Sequence, residues 1–360
     1  VVSNEQILGA LRAVQDPDLH KDVVTLGFVR DLRVEGGRVS FGLELTTPAC
    51  PVKDELKAQA ERVVRALPGV TEVDVSLSAA VRAPRAPGAV LPGVKNVVAV
   101  ASGKGGVGKS TVAANLALAL ADTGASVGLL DADIYGPSMP TMFGTTARPQ
   151  PAGEKSIHPV YAQGLKLMSI GFLVDPDTPM VWRGPMVHGA LSQFLEQVEW
   201  GALDYLVVDM PPGTGDAQLT LTQRAPLSGA VIVTTPQEVS LVDARKGLKM
   251  FEQVKVPLLG IVENMSYFVC DGCGREHDLF RRGGGRRTAQ ALGVPFLGEV
   301  PIEAVVALSG DEGVPVVRRA PQSTSAQALR RVAGEVARQL AVRAAQAPDA
   351  APLASMAWKA

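Results

Sequence analysis

The chain has only three cysteines, and an odd, sparse set of that kind excludes a disulfide framework. They are read as free thiols, metal ligands or redox groups in a reducing compartment. Aromatic residues make up only 4% of the chain, and no apolar run approaches the ~20 residues that a membrane-spanning helix needs. The opening VVSNEQILGALRAV has no basic stretch ahead of a long apolar core, so a secretory leader is not expected and the cytoplasm is. An excess of either charge is lacking too. With 35 Lys and Arg against 36 Asp and Glu the net charge is −1, so neither nucleic acid nor membrane is an expected partner. No internal repeat is visible. What is present is 360 residues, 46% hydrophobic and 20% charged, enough for two globular domains.

Residues 79–92, AAVRAPRAPGAVLP, are rich in Pro, Ala and Gly without apolar periodicity, and a linker is expected over 79–94. Before it, Ile7, Leu8, Leu11 and Val14 recur at helical spacing and Asp16-Pro17-Asp18 stops the helix. The β-type runs 28–34 and 38–45 flank Glu35-Gly36-Gly37 as a hairpin. A second helix over 52–66 and a strand over 70–75 complete a small α+β domain, 1–78. After the linker, β-type runs at 97–101, 127–131, 206–209, 230–234 and 258–262 alternate with helical patterns. That alternation predicts a mainly parallel sheet with helices on both faces over 95–346, ending in a helix at 325–346. The final residues, 347–360, are expected to be a disordered tail.

The first of these strands runs directly into Gly103-Lys104-Gly105-Gly106-Val107-Gly108-Lys109-Ser110-Thr111, followed by a helical pattern. Strand, glycine-rich loop and helix in that order form a P-loop. Its glycines let successive N–H groups converge on phosphate, and the helix adds the positive end of its dipole. Lys109 is placed to reach the β- and γ-phosphates and the Ser110 hydroxyl to ligate Mg²⁺. Lys104 narrows the reading. The KGGVGKS form resembles the deviant P-loop of the nitrogenase iron protein and of septum-site and partition ATPases, which implies a lysine that crosses a dimer interface to the partner's nucleotide.

Two further strands end in carboxylates. LLDAD places Asp131 and Asp133 on a loop, where they would hold Mg²⁺ or orient the attacking water. LVVD ends in Asp209, the form of a Walker B aspartate that binds Mg²⁺ through water. The loop 211–216, PPGTGD, follows it as a candidate γ-phosphate sensor.

Cys270-Asp271-Gly272-Cys273 lies in a polar stretch just past a strand. Spacing alone leaves zinc, a dithiol couple and half of a cluster site open, and His277 is a candidate third ligand for zinc. A cluster needs about four thiolates, which two chains would supply at a two-fold axis. Cys50 is placed at a helix start, where the dipole favours thiolate. His20, His158 and His188 fall in no ligand spacing.

The segments LLDADIYGPSMP, VVDMPPGTGD, TTPQEVSLVDARKGLKMF and GIVENMSYFVCDGCG together resemble the Mrp/ApbC family of iron–sulfur cluster carrier ATPases over the whole second domain. DPDLHKDVVTLGFVRDLRV and LELTTPACPVKDEL resemble the small iron–sulfur assembly domain that many bacterial members carry in front. The resemblance implies a weakly ATP-hydrolysing homodimer that receives a 4Fe-4S cluster from assembly machinery and passes it to apo-proteins. By position it makes Lys104 the signature lysine, Lys109 the P-loop lysine, Ser110 and Asp209 the Mg²⁺ ligands, Asp133 the residue that positions water and Asn264 an adenine contact. A partition ATPase on DNA or membrane and a nucleotide-gated electron donor are the competing readings.

Overall fold

The computed structural model describes residues 2–49, 52–83, 90–174, 184–270 and 272–346. The expectations for Cys50, for the 84–89 part of the linker expected over 79–94, and for the tail at 347–360 lie outside the described residues. The chain divides into two compact units, one of Val1–Arg85 with Ala337–Ala360 and the other of Ala86–Val336. The second cut falls inside the last helix, Thr324–Gln346.

In the first unit, Ser3 closes a capping box with Gln6 and starts the helix Asn4–Leu11. The helix is shorter than its apolar pattern: Val14 is buried in the core from beyond its end. The hairpin Val29–Glu35 and Arg38–Leu45 is antiparallel, and Gly36 takes the left-handed φ of 65° that the turn requires. Glu72–Ala79 then pairs parallel to Arg38–Leu45, a few residues later than the run at 70–75 predicts. Helix Lys53–Arg65 presents Leu56, Ala60 and Val64 to a core that contains Ile7, Leu11, Phe28, Phe41, Leu43 and Val75. This is the expected small α+β domain.

The second unit is built on strands β1 (Val94–Ala101), β2 (Val127–Asp131), β3 (Val160–Ala162), β4 (Leu165–Ser169), β5 (Leu203–Asp209), β6 (Gly229–Thr234) and β7 (Leu258–Glu263). A short hairpin, β8 (Phe268–Val269) and β9 (Glu276–His277), and strand β10 (Phe296–Glu299) follow. The helices that matter here are α1 (Lys109–Ala121), α2 (Gly184–Glu196), α3 (Asp216–Arg224), α4 (Glu238–Gln253) and α5 (Gly284–Leu292). Eight strands form one sheet in the order β3-β4-β2-β5-β1-β6-β7-β10, parallel throughout except for the β3-β4 edge pair.

Alternate residues of a strand face opposite sides of a sheet. Val97, Ala99 and Ala101 of β1 share one apolar cluster with Leu191 and Phe194 of α2, Leu221 of α3 and Leu248 of α4. Val98 and Val100 are just as buried, and α1, which packs on β1, β2 and β5, gives no residue to that cluster. Both faces are therefore covered, as parallel sheets require. The chain crosses from β1 to β2 on one side and later to β6 on the other, so the carboxyl end of β1 is a topological switch point where ligands bind in such sheets.

Candidate functional site

The loop leaving β1 lies at that switch point. Gly106 and Gly108 both take φ of 80°, and Gly108 is the residue that caps α1. A side chain at Gly108 would be strained by that φ and would also collide with the Asn264 amide. At Gly103 an added Cβ would run into the backbone of Asp243 on α4. Ser102 Oγ donates to the Lys104 carbonyl at 2.9 Å, and the Gly213 N–H donates to the Ser102 carbonyl at 3.0 Å. The loop after β5 is thereby fastened to the glycine-rich loop.

A pocket of about 220 Å³ opens here, lined by Ser102, Lys104, Lys109, Ser110, Asp133 and Pro212 together with Thr111 and loop glycines. Inside it the Lys109 ammonium is 2.7 Å from Asp209 Oδ1, 3.3 Å from Ser110 Oγ and 3.9 Å from Asp133 Oδ2. Lys109 and Asp209 are both buried. Burial pushes the Asp209 carboxyl above its usual range, against the pull of Lys109. Burial likewise raises Asp133, again opposed by Lys109. Among the described residues no carboxylate pairs with Lys104, which is half-buried and lines the pocket.

The structure separates the two carboxylates of the loop after β2. Asp131 pairs in register with Asp209 across β2 and β5, and it is fully buried. Its Oδ2 accepts from the N–H groups of Ser138 and Met139 and from Ser169 Oγ, and its Oδ1 from the Asp133 N–H. Burial first, and then the charge of Asp209, push it up to about 7. These bonds make Asp131 the anchor of the loop, whereas the sequence put it level with Asp133 as a candidate for the metal or the water. Only Asp133 lines the pocket.

Asp209 Oδ2 is buried and has no hydrogen-bond partner. A buried carboxylate oxygen left over in this way, close to a serine hydroxyl, fits the all-oxygen preference of Mg²⁺. Asn264 comes to the same site from 157 positions away and donates its side-chain amide to the Val107 carbonyl at 2.8 Å. Thr111 begins the second residue pair of α1, and its carbonyl accepts from the Asn115 side chain.

Four residues beyond Asn264, β8 begins a two-residue ladder with β9, and the cysteines lie at its turn. The Cys270 N–H donates to the Arg275 carbonyl at 3.0 Å and the Gly274 N–H to the Cys270 carbonyl at 2.8 Å. Cys270 is half-buried and Cys273 exposed. His277 lies opposite Phe268 in the ladder, their ring centroids 6.2 Å apart. Among the described residues no group of three His, Cys, Asp or Glu side chains is placed to hold a metal ion. A zinc site completed by His277 is therefore not assembled within the described residues of one chain. His158 pairs with Glu199 on the surface, away from any ligand set. No described helix is long and apolar enough to cross a membrane.

The parallel sheet, the glycine-rich loop and the Lys109–Asp209 pair define a P-loop NTPase. Residues 93–337 match the family described as NUBPL iron-transfer P-loop NTPase, and residues 4–75 match the iron–sulfur cluster assembly protein family. The chain is 54% identical over 352 residues to an iron–sulfur cluster carrier protein of Synechocystis, covering 96% of this chain and 99% of that one. It is 47% identical over 352 residues to an iron–sulfur cluster carrier protein of Deinococcus radiodurans, with 97% and 99% covered. A solved nucleotide-binding protein from Archaeoglobus fulgidus, in complex with ADP, superposes with a TM-score of 0.56 at 44% identity, covering 62% of this chain and 88% of that one. The chain belongs to the iron–sulfur cluster carrier family of P-loop NTPases, carrying a small iron–sulfur assembly domain in front.

Proposed function

We propose that this chain is an ATP-dependent iron–sulfur cluster carrier that works as a homodimer. Its cargo is a 4Fe-4S cluster gripped by Cys270 and Cys273 of both subunits, received from assembly machinery and passed to apo-proteins. One observation carries the reading: half-buried Cys270 and exposed Cys273 lie six and nine residues after Asn264, whose side chain bonds the phosphate-binding loop, and they offer two thiolates with no third described ligand. The names of the relatives point the same way. They favour carriage over DNA or membrane partitioning and over electron donation.

In the ATPase step, the N–H groups of Gly103 to Thr111 cradle the phosphates and Lys109 offsets their charge. Asp133 orients the water whose oxygen bonds to the γ-phosphorus as the bond to the β–γ bridging oxygen breaks; ADP departs with that oxygen and its electron pair, and the water's proton passes to the released phosphate. Lys104 acts on the nucleotide of the partner subunit, and Asn264 contacts the adenine. Ser110 and Asp209 would hold Mg²⁺, which when bound neutralises charge on the transferring phosphate. A weak ATPase suits this role, since the energy serves to change the grip of two subunits on shared cargo and not to run a fast reaction. Free thiols suit a reducing compartment, and the cytoplasm is the proposed location.

The reading is tested by anaerobic reconstitution with iron and sulfide of wild type, Cys270→Ser and Cys273→Ser, with zinc measured in the same samples. Loss of iron from both variants with ATP hydrolysis retained is the expected result. Full iron in either variant would place the cluster elsewhere.

A further inference from the structure

The cysteine turn sits on an excursion whose two ends meet at one buried carboxylate. Glu263, the last residue of β7, accepts from Ser266 Oγ at 2.6 Å on the outgoing side and from the Gly283 N–H at 2.8 Å on the returning side, with the Gly285 N–H on its other oxygen. The outgoing arm is further tied by backbone bonds. The Ser266 N–H donates to the Val300 carbonyl at 3.0 Å and the Ile302 N–H to the Tyr267 carbonyl at 2.7 Å. Cys270 follows directly on this fixed arm.

The returning arm, with Cys273 at its start and β9 after it, is held differently. Its backbone pairs with the two residues of β8 and, through Arg275 and Gly274, with Cys270, which is too short a ladder to be rigid by itself. Arg282 supplies the missing restraint. Its Nη1 is 2.6 Å from Glu276 Oε2 on β9, its Nε is 2.7 Å from Glu299 Oε2 on β10, and its guanidinium lies 3.8 Å above the ring centre of Tyr267. Glu299 also receives Arg286 at 3.3 Å, and Arg286 lies over the Phe296 ring. A lone exposed ion pair contributes little. A planar guanidinium shared between two carboxylates and stacked on an aromatic ring fixes an orientation as well as a distance.

We propose that Arg282 is a positioning residue for cluster carriage: by joining Glu276 to Glu299 over Tyr267 it holds the returning arm against the sheet and so sets the geometry of the Cys270 and Cys273 thiolates. The proposal rests on the reading that these two cysteines grip the cargo. The partners of Arg282 are Glu276, Glu299 and the Tyr267 ring, so the effect assigned to it is on the placement of the hairpin.

The test compares Arg282→Gln, Glu276→Gln and the double variant with wild type in the full chain. In apo-protein, the iodoacetamide alkylation rates of Cys270 and Cys273 are read separately by peptide mass spectrometry. In reconstituted protein, the half-life of the cluster against a chelator and its visible circular dichroism are read. Each single variant is expected to alter Cys273 alkylation and shorten the cluster half-life by about threefold, the scale of a sub-kcal surface network. The double variant is expected to be no worse than either single one, because both changes cut the same strap. Melting temperature and ATP hydrolysis are expected to stay at wild-type values. Wild-type alkylation and cluster half-life in Arg282→Gln, or in Glu276→Gln, would overturn the proposal. Cys270→Ser, run alongside, separates the two failures. If it keeps its iron, the cysteine reading itself is lost; if it loses iron while the Arg282 and Glu276 variants match wild type, only the strap is lost.

Discussion

Lys109 and Asp209, a hundred residues apart in sequence, form a buried ion pair with 2.7 Å between Nζ and Oδ1. Phosphate and this carboxylate compete for the same ammonium, so Lys109 has a structural partner as well as a proposed catalytic one. Lys109→Ala is expected to lower ATP hydrolysis by at least about 100-fold, the scale for losing one preorganised charge at a reacting oxyanion. It also strands the Asp209 carboxylate, at a cost of about 3 kcal/mol in urea denaturation. Lys109→Ala with Asp209→Asn should recover most of that stability and none of the hydrolysis. Recovery of turnover in the double variant would contradict the role given to Lys109.

Asp133 reaches the pocket, where its Oδ1 accepts from the Gly136 N–H at 3.3 Å and its Oδ2 makes a long contact, 3.9 Å, to Lys109. Its loss should leave the phosphate cradle intact. Asp133→Asn is expected to slow turnover by about 100-fold while nucleotide affinity, read by calorimetry with Mg²⁺-ATP, changes by less than about threefold. A fall in affinity as large as the fall in turnover would reassign Asp133 to the metal.

Asp131 gives a pH signature. Its carboxyl is raised to about 7 in the folded protein against about 3.9 in an unfolded chain, so the folded state binds the extra proton between those values. Its contribution to stability is fully present below about pH 4 and is lost as pH rises through about 7. Asp131→Asn removes that titration. Measured by urea denaturation, the stability of the variant relative to wild type should improve steadily from pH 4.5 to 7.5 and then level off. A difference that is flat with pH would show that Asp131 keeps an ordinary carboxyl.

The features legible in the sequence are those whose physics is local. A β-branched run, a glycine-rich loop and a helix are contiguous, so the phosphate site and the parallel sheet were readable from residues 94–121 and from the strand ends at Asp131 and Asp209. The distinction between Asp131 and Asp133 was not readable. It depends on which carboxylate meets Ser138, Met139 and Ser169, partners up to 38 positions away. The hairpin β8 and β9 was missed because strands of two residues leave no periodic pattern. The contact between Asn264 and the Val107 carbonyl spans 157 positions, and only a family resemblance pointed Asn264 to this site. Arg282 left no signal at all, since FRRGGGRR reads as a solvated basic stretch until Glu276, Glu299 and Tyr267 are seen around it.

In the proposed carrier, two chains share one cluster through Cys270 and Cys273. Native mass spectrometry of the anaerobically reconstituted protein reads this sharing, because it weighs subunits and cargo together. The expected species is a dimer carrying about one 4Fe-4S cluster, with apo-protein and Cys273→Ser lacking that mass. A monomer bearing a complete cluster, or a chain holding one zinc ion in place of iron, would contradict it.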